Sequence, residues 1–156
     1  MASGCVRHME PGDIDALLKV VRDTYTLHNG IGKNDGNCDD ESVKVSLRKM
    51  YIDPSFHNLV YDEDDYILGF MITREVETPL NYNCKYGIDI GWGVEEDLTK
   101  NRRGRILIDL FREMKKSLKS NGIDRLIVGT PPDNSLQYYI ERNGGKLVET
   151  KHLVEL

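Results

Sequence analysis

Apolar residues recur at Ile14, Leu17, Leu18, Val21 and Tyr25, a spacing of three and four that predicts a helix. Pro11 suits its first turn, and residues 4–9 make a short strand before it. The stretch Asn29–Asn37 holds three glycines and three asparagines and reads as a loop. Asp39 or Asp40 caps a second helix with Val43, Leu47, Met50 and Tyr51 on one face, and Pro54 ends it.

The pattern then becomes extended. Asn58–Asp62 and Tyr66–Val76 form a hairpin across the acidic turn Asp62-Glu63-Asp64-Asp65. Pro79–Cys84 reads as a loop. Tyr86–Val94 reads as a strand punctuated by Gly87, Gly91 and Gly93, and glycine within a strand marks a bulge or a close approach. A helix follows with Leu107, Leu110, Phe111, Met114 and Leu118 on one face, closed by Asn121-Gly122. Leu126–Gly129 is a short strand, and Pro131-Pro132-Asp133 is a turn. Asn134 opens a helix to about Asn143, Gly144-Gly145 stops it, and Lys146–Leu156 makes a terminal strand. The order β-α-α-β-β-β-α-β-α-β predicts an α/β fold. Its mixed sheet of about six strands carries helices on both faces, in one domain over residues 1–156.

Composition narrows the function. A net charge of −5 argues against a nucleic-acid partner. Cys5, Cys38 and Cys84 are odd in number and widely spaced, which points to reduced thiols in the cytoplasm. The four histidines form no metal-binding pair, so no metal is expected. There is neither a signal-peptide core nor an apolar run long enough to span a bilayer, so no membrane partner is expected.

Four segments carry a resemblance to a known family. They are VRHMEPGDIDALLKV (6–20), NLVYDEDDYILGFMI (58–72), IDIGWGVEEDLTKNRRGRILIDLF (88–111) and PDNSLQYYIERNGGK (132–146). In these the chain resembles the Gcn5-related N-acetyltransferase (GNAT) family over nearly its whole length, most closely the short GNAT-like proteins of bacteriophages. The resemblance implies a GNAT fold and direct acetyl transfer from acetyl-CoA to a small-molecule or protein amine. A homodimer is compatible with it.

The resemblance also implies site residues. Trp92, Gly93 and Val94 stand where the family's fourth strand splays and pairs with the pantetheine arm. Arg102, Arg103, Gly104, Arg105, Ile106 and Leu107 stand at the pyrophosphate loop, whose backbone amides hold the phosphates. Asn134 matches an asparagine near the pantetheine. Physics supports an anion site, because Lys100, Arg102, Arg103 and Arg105 crowd a helix start, where cations oppose the dipole unless an anion offsets them. Asp89, between Ile88 and Ile90, is the candidate base, and Tyr139 the candidate acid.

Three departures keep a second reading open. Ile106 and Ile108 stand at positions where the family has small residues, and Ile140 stands where it has the acid tyrosine. Isoleucine is branched and stiff where glycine lets a backbone approach a phosphate. The alternative is a GNAT-fold protein without catalysis, serving as a binding or structural module in a virion or on a host protein.

Overall fold

The computed structural model describes residues 4–28, 39–78, 81–130 and 135–146. In chain order they form β1 (Cys5–His8), a 3-10 turn (Pro11–Asp13), α1 (Ile14–His28), α2 (Asp40–Ile52), β2 (Phe56–Glu63) and β3 (Tyr66–Thr78). β4 (Asn81–Val94), α3 (Lys100–Ser120), β5 (Leu126–Ile127) and α4 (Ser135–Arg142) follow. The sheet order is β1-β2-β3-β4-β5. Neighbours from β1 to β4 run antiparallel, and β5 joins β4 in parallel. Among the described residues the sheet has five strands. The sixth expected strand and the Asn29–Asn37 loop lie outside them, apart from Lys146.

Local chemistry fixes the element ends. Asp39 caps α2 by accepting from the Ser42 N–H at 2.8 Å. The β2–β3 hairpin turns at Asp64 and Asp65, with φ of 54° and 65°. That double left-handed turn matches the twist of its strands, and aspartate tolerates it better than most residues. At the end of α3 the Gly122 N–H bonds to Lys119 O and the Ile123 N–H to Leu118 O. Gly122 has φ +78° there, and Ile123 packs in one core with Leu118. This is a Schellman stop, and Gly144-Gly145 repeat it after α4.

Two cores sandwich the sheet. Ile14, Leu17, Val20 and Val21 of α1 and Leu47 of α2 pack with Val60, Phe70 and Ile72. On the other face Leu107, Leu110, Phe111, Met114 and Leu118 of α3 pack with Leu59, Met71, Trp92 and Leu136. The whole apolar stripe expected for α3 is therefore buried.

Two expectations need correction. Tyr51 is exposed rather than buried, because α2 meets α1 and β2 along a narrow stripe centred on Leu47. The expected Pro79–Cys84 loop is mostly strand: β4 begins at Asn81, with Thr78 opposite Asn81 and Glu77 opposite Lys85. Alternating Tyr82, Cys84 and Tyr86 suit an extended strand, and β3 supplies the partner that overrides two loop-forming asparagines.

Candidate active site

The site grows from β4. Along one edge β4 keeps β3 as partner from Thr78/Asn81 to Gly69/Val94. Along the other, among the described residues, it pairs with β5 only at Gly87/Leu126 and Ile88/Ile127. Past Ile88 the two parallel strands part. The parting coincides with a bulge, since Asp89 faces Thr73, Gly91 faces Ile72, and Ile90 has no partner.

The bulge redirects the backbone. The Gly87 N–H donates to Arg125 O on the β5 side, whereas the Glu95 N–H donates to Leu68 O on the β3 side. One extra residue between them shifts the alternation, so the amides of Trp92 and Val94 face the edge that β5 leaves open. Two side chains span the gap to a single residue, Gly129. The Trp92 indole N–H donates to Gly129 O at 2.9 Å, and the Asp89 carboxylate accepts from the Gly129 N–H at 3.1 Å.

Beyond the open edge β4 leads to α3. Thr99 caps this helix, its hydroxyl accepting from the Arg102 N–H at 3.4 Å. The first turn holds Lys100, Arg102 and Arg103 and no acid. Arg102 pairs with Glu63 at 2.5 Å, which raises its already high pKa. Among the described residues Lys100, Arg103 and Arg105 have no ion-pair partner. Cations so placed oppose the helix dipole, and the N–H groups of the first turn lack intrahelical acceptors.

No family model matches the sequence, and no curated protein matches it. Solved structures do share its shape. An aminoglycoside N-acetyltransferase, AAC(6')-Iy, in complex with CoA superposes with a TM-score of 0.74 at 12% identity, covering 100% of this chain and 96% of that one. A GNAT family acetyltransferase from Staphylococcus aureus gives 0.68 at 16% identity, with 100% of both chains covered. A transcriptional regulator from Bacillus halodurans C-125 gives 0.77 at 15%, covering 99% of this chain and 100% of that one. The chain has the GNAT fold.

Within the GNAT fold the expected residues fall into groups. Asp89 and Trp92 come together at Gly129, with Val94 one step along the same strand face as Trp92. Gly93 has a packing reason. A Cβ there would lie 1.8 Å from Thr24 Oγ1 of α1, so glycine lets that helix cross the strand. Arg103, Gly104, Arg105, Ile106 and Leu107 lie where α3 is already under way, and the Arg103 N–H bonds back to Thr99 O at 2.9 Å. The amides free at the helix start are thus those of Lys100 and Asn101, with Arg102 held by the cap. Gly104 instead receives α4, since a Cβ would meet Ser135 Oγ at 3.1 Å. Ile106 and Leu107 are buried in the α3 core.

Tyr139 turns to α3. Its hydroxyl accepts from Arg112 Nε at 3.1 Å, and its ring meets Phe111 edge-on with centroids 6.1 Å apart. Asn134 lies outside the described residues. The role of Gly129 and the Glu63–Arg102 pair had no signal in the sequence, because both join residues distant along the chain.

Proposed function

We propose that this chain is an acetyl-CoA-dependent N-acetyltransferase acting on a small-molecule amine in the cytoplasm. One observation carries the reading: β4 keeps β3 throughout and loses β5 beside a bulge, which leaves an extended edge for a linear amide-bearing group. The pantetheine arm of acetyl-CoA is such a group. Its amides pair with the open edge as a third strand would, through the Trp92 and Val94 backbone. Its phosphates reach the Lys100, Arg103 and Arg105 side chains and the amides at the start of α3. In this placement the side chains replace much of the backbone cradle that the sequence resemblance implies.

The chemistry then needs a base, and Asp89 stands beside the parting strands. It takes the amine proton, directly or through water, as nitrogen attacks the thioester carbonyl. A backbone N–H of the open edge holds the tetrahedral oxyanion. In a coupled assay for thiol release with a panel of small amines, Asp89→Asn lowers kcat by about 10²–10⁴-fold. The asparagine oxygen still accepts from the Gly129 N–H, so the melting temperature stays unchanged. A wild-type rate in this variant removes Asp89 from the mechanism.

A second reading has its own observation. Tyr139 is committed to Arg112 and Phe111, and Ile140 holds the neighbouring position. This favours a non-catalytic GNAT-fold module, acting in a virion or on a host protein. Acetyl-CoA binding without thiol release from any amine supports it.

A further inference from the structure

A second polar cluster lies away from the parting strands, between the sheet and the C-terminal half of α3. His57 of β2 is buried, with 5% of its surface exposed. Its Nδ1 lies 2.7 Å from Ser117 Oγ, and its Nε2 lies 2.7 Å from Glu75 Oε1. Donor counting orients the neutral ring. An ionised carboxylate only accepts, so the Nε2–H donates to Glu75. Nδ1 is then an acceptor, and Ser117 must donate its hydroxyl proton to it. Asn121 Nδ2 lies 3.4 Å from Nε2 and is itself a donor, so it does not compete with the carboxylate for the Nε2–H.

Serine within a helix commonly bonds to the carbonyl one turn back. Ser117 points its proton at a buried imidazole that a carboxylate orients. Nucleophile, base and orienting acid are thus in hydrogen-bond sequence, the arrangement that activates a hydroxyl. Ser117 also borders open space. Ser117 lines a cavity of about 300 Å³ with Val6, Arg7, Leu59, Lys116 and Ser120. That volume suits a small molecule. No residue of β4, β5 or α4 lines it, so it is separate from the open edge of β4. Along α3, Ser117 is about 25 Å from Lys100.

We propose that Ser117 is a nucleophile activated by His57 and Glu75, and that its cavity takes a small carboxylic ester. Attack forms the Oγ–acyl bond and moves the serine proton to His57 Nδ1. The ester C–O bond then breaks, and that proton leaves with the alkoxide as an alcohol. Water repeats the sequence on the acyl-serine, releasing the acid and restoring Ser117. Val6 and Leu59 supply the apolar wall for the acyl chain.

A fluorophosphonate probe tests this on the full chain. Its reaction forms the Oγ–P bond and breaks P–F, and fluoride departs with the serine proton. Peptide mass mapping is expected to find the adduct on Ser117 of the folded protein and none on urea-unfolded protein. p-Nitrophenyl acetate should be turned over by the same protein. Ser117→Ala, which a helix accepts readily, removes both signals. Glu75→Gln lowers the labelling rate by about 10²-fold or more, with an unchanged circular dichroism spectrum. An unlabelled Ser117 in folded protein overturns the proposal, as does a labelling rate indifferent to Glu75→Gln. Loss of melting temperature in Ser117→Ala with no labelling of the wild type also overturns it, leaving the cluster as a tie between α3 and the sheet.

Discussion

The two edges of β4 differ in how they are paired. One edge is paired with β3 from Lys85 to Val94, broken only by the bulge at Ile90. The other is paired with β5 for two residues, after which Asp89 and Trp92 reach Gly129. Unpaired backbone at a sheet edge is a liability that proteins usually cover. Here the strand turns its amides toward the gap by a bulge, and the next helix presents Lys100 and Arg103 beyond it, with no ion-pair partner among the described residues. The comparison teaches that an opening in a sheet can be held in place by side chains without being closed by them.

The largest effect is expected at Gly93→Ala. Its Cβ would meet Thr24 Oγ1 at 1.8 Å, so α1 must shift, at a cost of about 1–3 kcal/mol by chemical denaturation. That breaks the packing behind the open half. The far edge of the sheet supplies a control. Arg7 binds Asp13 with two bonds, of 2.7 and 2.9 Å, and also reaches Asp62. The Arg7 guanidinium holds the Asp13 carboxyl below its ordinary range. A depressed folded-state pKa adds stability above the unfolded pKa and loses it as pH falls through the folded one. Asp13→Asn should therefore cost about 1–3 kcal/mol near neutrality and progressively less below about pH 4, while acetyl-CoA affinity stays unchanged.

Smaller changes sharpen the contrast. Trp92→Phe keeps an aromatic ring and removes the donor to Gly129 O, which should cost about 1 kcal/mol by chemical denaturation and weaken acetyl-CoA binding in a calorimetric titration. Gly91→Ala should be near neutral, within about 0.5 kcal/mol, since the nearest atom to its Cβ, in Phe70, is 3.7 Å away. Two glycines two residues apart on one strand would then differ because one faces a helix at van der Waals limit and the other does not.

Much of this was legible in the sequence, for reasons that differ between residues. The α3 stripe from Leu107 to Leu118 repeats at helical spacing, so its burial followed from periodicity alone. The glycines of β4 marked the irregular strand correctly. The sequence could not show that Gly93 serves Thr24, since α1 meets β4 only after folding. The start of β4 was hidden by Pro79 and two asparagines, whose local preference yields to pairing with β3. Arg103 to Leu107 resembled a loop by alignment, and helix formation from Thr99 takes their amides inward. His57, Glu75 and Ser117 come from three elements with no spacing that joins them, so only the packed fold brings them into sequence.

Thermal unfolding with and without acetyl-CoA tests the proposed use of the open edge most directly. If acetyl-CoA binds along it, ligand at a hundred times its Kd adds about 2.7 kcal/mol and raises the midpoint by roughly 5–10 °C. The double variant Arg103→Glu, Arg105→Glu should lose most of that shift while melting normally without ligand. No shift in the wild-type protein at millimolar acetyl-CoA would contradict the account.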